Sequence, residues 1–227
     1  MPNHVTNKVE ITSGNAQEAL SFMCSDARKF DFNNVIPMPE SLNIESGTLT
    51  DAALAFYLTQ GLTKAITRDQ IEKYFNDGYF SNKFDDADRA INSAKRCVDK
   101  GLYSADHLLE IGKKVVLNIE TYNCQTWYEW SHENWGTKWN AYDIEVTDKS
   151  VEFDTAWKSP TPVLEAWISK FKLNCTVKAF DEGHCFWFIK TYVNGVLSDF
   201  RDSLDEDRDS LCKELKKYDP SKDEEDE

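Results

Sequence analysis

Apolar and polar residues alternate at the start of the chain, which is the pattern of a half-buried strand. Val5, Val9 and Ile11 share one face, while the polar residues between them take the other. We therefore expect a strand over about residues 4–12. The same alternation returns at residues 30–36 and again from residue 141 onward.

Helical spacing follows the first strand. The apolar positions of residues 16–25 recur every three or four residues, and Asn15 or Ser13 is placed to cap that helix. Residues 30–36 alternate again before a Pro-Met-Pro turn, so they predict a second strand. The opening is thus a β-α-β unit.

Residues 48–122 change character and are helical almost throughout. Capping signals mark where the helices should begin. The expected starts are Thr50–Asp51, the capping box Thr67–Gln70, Asp85 and Ser104. This region predicts a helical block between two sheet-forming segments.

Strand patterns dominate the last third. A helix should open at the Ser159–Pro162 segment, because proline is tolerated in a first turn, and a charged helix should cover residues 204–217. A type I′ turn is expected at Asn194-Gly195. The expected strands are 141–146, 151–153, 175–180, 185–192 and 196–200.

The element order predicts an α+β fold. Without the helical block, the elements form a split β-α-β-β-α-β unit, which is a ferredoxin-like antiparallel sheet with helices on one face. We expect one domain over 1–218, with sheet segments at about 4–36 and 140–200 and a large helical insertion at about 48–134. An extra β-hairpin follows at the C-terminal end, and residues 219–227 should be a disordered acidic tail.

Composition narrows the classes of function. The net charge of −14 repels phosphate backbones, so we expect no direct nucleic-acid partner, and it attracts basic partners. No apolar run approaches the roughly 18 residues of a membrane span, and no signal peptide is visible. We therefore expect a cytoplasmic protein with reduced cysteines and no membrane partner.

Catalytic and metal-binding motifs are missing from the sequence. There is no nucleophile elbow, phosphate-binding loop or dinucleotide fingerprint, and we expect no cofactor. Cys175, His184 and Cys185 come closest to a metal site but lack the close ligand pairs of zinc centres. His132 is a candidate acid or base, although a surface histidine near the end of a helix is the favoured interpretation.

Tryptophans concentrate in one stretch, where an indole anchors either a core or an interface. Five of the seven fall there, at Trp127, Trp130, Trp135, Trp139 and Trp157. Three interpretations stay open: core packing, a protein interface and, as the weakest, a stacking platform for bases. Few lysines and several carboxylates lie among these indoles, which argues against the last.

Several stretches resemble the YubB-like family of phage and plasmid proteins, whose members share a ferredoxin-like domain. The matching stretches are residues 2–7, 34–40, 135–143 and 153–157 with the prolines that follow. The resemblance implies an accessory protein of a mobile element in a bacterial cytoplasm. It implies no catalytic residues.

These observations lead to one candidate binding site and three hypotheses. We expect a non-catalytic acidic protein that contacts a host protein, itself basic or nucleic-acid-binding, in a counter-defence or host-modulating role. The alternatives are an enzyme, with a pocket between the first strand and Trp135–Asp143 that uses His4, Lys138 and Asp143, and a DNA mimic. For the same polar residues, a structural network that fixes the register of the sheet is the favoured interpretation. The candidate binding residues are Asn3, His4, Asn7, Trp135, Lys138, Trp139, Asn140, Asp143 and Trp157.

Overall fold

The protein is described by a computed structural model, which covers residues 2–59, 72–74, 76–80 and 87–219. The chain divides into two compact units. The first, here the sheet unit, comprises Met1–Pro37 and Ser131–Glu227, and the second, here the helical unit, comprises Met38–Trp130. The expectation of one domain over 1–218 stays a prediction.

Six strands form one antiparallel sheet, and with the helices they confirm the α+β class. The first strand is flanked on both sides by strands from the last third of the chain, as its alternation requires. The strands are β1 His4–Ser13, β2 Tyr142–Val146, β3 Ser150–Ala156, β4 Asn174–Asp181, β5 Trp187–Val193 and β6 Val196–Asp202.

The strand order across the sheet is β2-β3-β1-β4-β5-β6. Val9 of β1 stands opposite Val151 of β3 and Val177 of β4, so the fully buried centre of the sheet is aliphatic. The β5–β6 hairpin turns at Asn194 and Gly195, both with positive φ as a type I′ turn requires. The expected extra C-terminal hairpin is therefore present.

Two helices lie on the sheet face that contains Val5, Asn7 and Phe153. They are α1 (Ala16–Phe22), capped by Asn15 as predicted, and α6 (Thr161–Lys170); α2 to α5 belong to the intervening chain. The Trp167 indole of α6 donates a hydrogen bond to the Ala19 carbonyl of α1 at 3.0 Å. This bond fixes the two helices to each other over the core.

A third helix lies on the opposite face, where the sequence led us to expect helices on one face alone. The helix α7 (Asp205–Leu211) continues into a π-helical turn at Cys212–Lys216. Its apolar residues Leu211, Cys212 and Leu215 pack against Phe180 and Trp187. These two aromatic side chains project from β4 and β5 away from α6, so the second face also needs cover.

Charged side chains join this third helix to the centre of the sheet. Glu214 accepts from Lys8 Nζ at 2.7 Å and from Lys178 Nζ at 2.9 Å, and Glu10 lies 2.7 Å from Lys178 Nζ. Burial opposes the charge of Lys8 and of Lys178, but the two carboxylates outweigh it and the pKa of each lysine is raised. The network therefore fixes α7 and its π-helical turn to the sheet, and it pairs the charges of Lys8 and Lys178, which would otherwise be half-buried without a counter-charge.

The predicted second strand, residues 30–36, is wrong. Phe32–Asn34 form a 3-10 turn that begins at Asp31, whose side chain accepts from the Asn33 amide at 3.0 Å. Phe30 and Phe32 are fully buried, so their alternation reflects packing into the core and not pairing in the sheet.

The described part of the helical unit includes three helices that pack on one another and the first half of a fourth. They are α2 (Thr48–Leu58), α3 (Ala87–Asp99), α4 (Ala105–Tyr122) and α5 (Trp127–Asn134), the last of which includes the boundary between units. Because a Cβ on Gly112 would collide with the Ala53 carbonyl, this glycine permits the close approach of α4 to α2.

Capping predictions in this unit have mixed outcomes. Ser104 caps α4 as expected, since its hydroxyl accepts from the His107 amide at 3.2 Å. The N-cap of α2 is Gly47 and not Thr50 or Asp51, because both of these residues lie inside the helix. The Thr50 hydroxyl donates to the carbonyl of Glu45, which precedes the helix.

Three sequence predictions concern regions that the structure covers partly or not at all. The capping box at Thr67–Gln70, the helix start at Asp85 and, apart from Asp219, the tail at 219–227 lie outside the described residues. Within the described ranges, no helix combines the length and the apolar character that crossing a bilayer needs.

Candidate functional site

Two tryptophans lie half-exposed on the sheet unit with a lysine between them. Trp139 exposes 37% of its surface and Trp157 exposes 39%. The Lys138 ammonium lies 4.7 Å from the ring centre of each. Such cation–π contacts are worth about 0.5–1 kcal/mol each at exposed sites, so they order all three side chains.

Aromatic contacts extend this pair in both directions. His132 stacks on Trp157 at 5.8 Å with an interplanar angle of 17°, and Trp139 meets the edge of Tyr142 at 6.2 Å. The Tyr142 hydroxyl is 2.7 Å from His4 Nδ1. We call this set the aromatic strip; its members are His4, His132, Lys138, Trp139, Tyr142 and Trp157.

Backbone contacts hold the strip in place. Trp157 adopts a positive φ of 68° immediately after β3, and its amide donates to the Asn3 carbonyl at 2.9 Å. The Ser131 hydroxyl donates to the Lys138 carbonyl at 2.9 Å. A non-glycine residue at positive φ costs free energy, so this conformation is maintained by its surroundings.

Carboxylates surround the Tyr142 end of the strip. Burial raises the pKa of Tyr142 well above its ordinary value, and the neighbouring charges of Asp154, Asp143 and Glu182 raise it further. The phenol therefore stays neutral and hydrogen-bonded to His4. This end of the strip combines aromatic surface with negative charge.

Two of the nine candidate residues lie inside the protein. Asn7 is fully buried, and its amide nitrogen donates to the Val5 carbonyl at 2.9 Å and the Thr155 hydroxyl at 2.8 Å. The Trp135 indole donates to the Ile36 carbonyl at 2.9 Å and contacts Phe32 edge-on. Both side chains fix the fold where β1 and the loop before β2 meet.

Asn140 forms a structural network of a different kind. Its carbonyl oxygen accepts from the amides of Phe32 at 3.1 Å and Ala141 at 2.9 Å, while its nitrogen donates to Asp31 at 2.8 Å. Burial raises the pKa of Asp31, but hydrogen bonds from Asn140, Asn33 and Ser25 outweigh it and leave this pKa below its ordinary value. The network stabilises the turn that replaces the expected strand.

The remaining candidates are at the surface. Asn3 is exposed, and its amide nitrogen lies 3.4 Å from Asp181 Oδ2. Asp143 is exposed at a positive φ of 50° beside the strip. Of the candidate residues, the structure thus brings together His4, Lys138, Trp139 and Trp157 and separates them from Asn7, Trp135 and Asn140.

Sequence reasoning left out two members of the strip. Tyr142 stood within the tryptophan-rich run but was assigned to a strand, and His132 was considered only as an acid or base. Both join the strip through contacts across long stretches of chain, since Tyr142 lies 138 residues from His4. The concentration of tyrosine and tryptophan in this stretch was the available signal in the sequence. It did not indicate which of these side chains contact one another in the fold.

Metal ligands do not cluster in the part of the chain that the structure describes. Cys175 is buried on β4, where burial raises the pKa of its thiol to about 12. Cys185 is exposed and lies before β5 instead of within it, as does His184. A buried protonated thiol is a poor metal ligand, because the thiolate is the form that binds.

Comparison with known proteins gives one distant structural likeness. No family model matches the chain, and no curated protein matches it. A crystal structure of a protein api92 from Yersinia pseudotuberculosis, with the family model DUF1281, aligns with 10% sequence identity and a TM-score of 0.39. The alignment covers 89% of this chain and 98% of that chain.

Proposed function

We propose that this chain is a non-catalytic accessory protein of a phage or plasmid that binds a host protein through the aromatic strip. One observation carries the proposal: Lys138 is held between the half-exposed indoles of Trp139 and Trp157. The proposal places the protein in the bacterial cytoplasm, in a counter-defence or host-modulating role.

The physical chemistry of the strip favours a protein partner. Tryptophan and tyrosine dominate the binding energy of protein interfaces, because they bury much apolar area at little cost in side-chain entropy. Trp139 and Trp157 are ordered by Lys138 before a partner arrives, so less freedom is lost on binding. A preorganised, half-exposed pair of this kind has the properties of an interface anchor.

Charge favours a basic partner. The carboxylates of Asp143, Asp154 and Glu182 lie around Tyr142, and the whole chain carries a net charge of −14. Opposite charge on a partner accelerates encounter and suppresses incorrect partners. The same charge disfavours direct contact with a nucleic-acid backbone. The proposed partner is therefore a basic host protein, and many basic host proteins bind nucleic acid themselves.

The finer fold assignment belongs to the same proposal. The order β2-β3-β1-β4, with α1 and α6 on one face, is that of two interlocked split β-α-β units. This order supports a ferredoxin-like domain extended by β5 and β6, and with it the YubB-like resemblance. Fold likeness alone assigns no activity, so the binding proposal rests on the strip.

The two alternatives have weaker support. An enzyme that uses His4, Lys138 and Asp143 needs these groups to converge on a substrate, whereas the Lys138 ammonium is sandwiched by indoles and His4 Nδ1 is engaged by Tyr142. A DNA mimic needs carboxylates spaced like phosphates. Both stay predictions from the sequence.

Affinity capture from host lysate at low salt tests the proposal, since electrostatic attraction is strongest there. The three baits are the native chain, the double variant Trp139→Ala/Trp157→Ala, and Tyr122→Ala as a control. Tyr122 exposes 39% of its surface, as Trp157 does, but lies on α4. We expect a basic protein to be retained by the native chain and the control and lost from the double variant.

Retention of the same proteins by all three baits contradicts the proposal. An empty capture with the native chain at low salt also contradicts it. Thermal unfolding of each bait shows whether a loss reflects folding or binding, because an interface variant keeps the native unfolding temperature.

A further inference from the structure

A depression of about 470 Å³ lies on the sheet unit beside Trp157. It forms where β4 ends and α6 begins, and Phe186 and Phe188 supply further apolar lining. Trp157 belongs to both the aromatic strip and this depression. A group that enters the depression therefore continues the surface through which we propose that a partner binds.

Two buried polar side chains line the depression. Ser159 is 7% exposed, and its hydroxyl has no hydrogen-bond partner among the described residues. Asp181 is 1% exposed, and both of its side-chain hydrogen bonds are accepted by Oδ2, from Asn3 Nδ2 at 3.4 Å and from the Cys185 amide at 3.2 Å. A buried hydroxyl without a partner costs free energy, and a donor that enters the depression can supply the missing hydrogen bond.

The local chain geometry keeps both groups in place. The Asp181 carbonyl accepts from the His184 amide at 2.9 Å, which closes the turn after β4. The Thr155 hydroxyl donates to the Lys158 carbonyl at 2.9 Å, and the Thr161 amide donates to the Ser159 carbonyl at 2.8 Å. Both polar groups are therefore presented by hydrogen-bonded turns.

This combination of groups suits a planar cation. A carboxylate and a hydroxyl oxygen accept hydrogen bonds, while an indole and two phenyl rings provide apolar and π-electron surface. Guanidinium is planar, carries five N–H donors and stacks on aromatic faces, whereas an ammonium is a compact, strongly hydrated point charge. Charge-assisted hydrogen bonds to carboxylate are also the stronger kind.

We propose that the depression beside Trp157 receives an arginine side chain of the partner protein, which pairs with Asp181, donates to Ser159 and packs against the part of Trp157 that lines the depression. The inference rests on the proposed function for the identity of the partner, but its recognition chemistry is independent of that partner. Lys158, exposed at the same depression, opposes the incoming charge and limits the affinity.

Cys185 provides a reporter for this site. Its exposed thiol lines the depression, whereas the other exposed thiol, Cys24, lines a separate one between α1 and the β2–β3 turn. Alkylation of each cysteine by iodoacetamide is followed by mass spectrometry on the full-length protein. The probe is Nα-acetyl-arginine amide, with the corresponding lysine and citrulline amides as charge and shape controls.

We expect the arginine probe to slow alkylation of Cys185 with an apparent dissociation constant on the order of 1–10 mM, as befits a single side chain. Alkylation of Cys24 should not change. Citrulline has the shape of arginine without its charge and should give no protection, and lysine should protect at least about threefold less well.

Variants of the site sharpen this test. Ser159→Ala should weaken protection about threefold to tenfold, the value of one hydrogen bond, and Asp181→Asn should abolish it. Lys158→Ala should strengthen protection about twofold by removing an exposed like charge. The Ser159 variant keeps the test decisive if the Asp181 variant fails to fold.

Cys185 alkylation that is insensitive to the arginine probe overturns the inference, as does equal protection by citrulline or lysine. The experiment contains no host protein, so its outcome is separable from that of affinity capture. Protection of Cys185 together with an empty capture would leave the arginine site standing and remove the proposed partner.

Discussion

Two aromatic regions of the sheet unit, the interior cluster and the aromatic strip, differ in almost every physical respect. The interior cluster is dry: Phe30 stacks on Phe153 at 5.0 Å and meets Trp167 edge-on at 5.2 Å, and all three are at most 1% exposed. The aromatic strip is half-exposed and holds a cation between Trp139 and Trp157.

The role of a tryptophan therefore depends on its surroundings and not on its residue type alone. In the interior, the Trp135 and Trp167 indoles donate to backbone carbonyls, which leaves no polar atom for a partner. In the strip, Lys138 lies against the rings of Trp139 and Trp157, His132 stacks on Trp157, and more than a third of each tryptophan stays exposed. We infer that the interior cluster contributes mainly to folding stability and that the aromatic strip contributes mainly to binding a partner.

The largest expected difference between the two regions is in the loss of folding stability when a tryptophan is removed. Trp167→Ala should lower the free energy of unfolding by about 3–5 kcal/mol, because it removes a fully buried ring and leaves a cavity. Trp139→Ala should cost less than about 1 kcal/mol. Denaturant unfolding of both variants measures the contrast, and equal losses would contradict it.

A second contrast concerns asparagines of the candidate site. Asn7→Ala should cost about 1–3 kcal/mol, because it removes the donor that serves Val5 and Thr155 in the buried centre. Asn3→Ala should cost less than about 0.5 kcal/mol, since Asn3 is exposed. Chemical denaturation resolves these values, and an Asn3 variant as unstable as the Asn7 variant would refute the assignment of their roles.

A third contrast is the response to acid. The folded-state pKa of Asp31 lies below its ordinary value, so its contribution is present above the unfolded-state pKa and is lost as pH falls through the folded-state pKa. Unfolding free energy measured from about pH 6 to pH 2 should fall less steeply for Asp31→Asn than for the native chain. Trp139→Ala should keep the native slope, and an unchanged slope in the Asp31 variant would contradict the prediction.

The smallest expected effect lies within the strip itself. Lys138→Met should cost about 0.5–1 kcal/mol of stability, less than the sum of the two lost cation–π contacts, because the methionine side chain keeps apolar contact with the rings. Lys138→Arg should retain most of the native stability. Tryptophan fluorescence reports the change, because Trp139 and Trp157 lose their ordered contact. An emission spectrum that is identical in the native and Lys138→Met proteins would contradict the contact of Lys138 with the two indole rings.

Local pattern was sufficient to predict most elements of the sheet unit. The strands near Val5–Ile11 and Cys175–Phe180, the Asn15 cap and the Asn194-Gly195 turn each depend on a few neighbouring residues. Such signals are short-range, so they are readable from the chain. They also predicted an antiparallel α+β sheet, because strand and helix patterns followed a known order.

Long-range packing accounts for what the sequence did not reveal. Phe30 and Phe32 alternate as in a strand, but Asn140, 108 residues away, takes the hydrogen bond of the Phe32 amide. The burial of Asn7 and the exposure of Trp157 likewise depend on which strands become neighbours. Four of the nine candidate residues belong to the strip, and their role in binding stays a prediction. The sequence did not reveal which candidates have structural positions and which lie at the surface.

Oxidative footprinting of the indoles in the free protein and in the captured complex tests the central claim most directly. The account predicts that Trp139 and Trp157 are modified in the free protein and protected in the complex, while Trp135 and Trp167 stay unmodified in both. Modification of Trp139 and Trp157 at the same rate with and without the bound partner would contradict it.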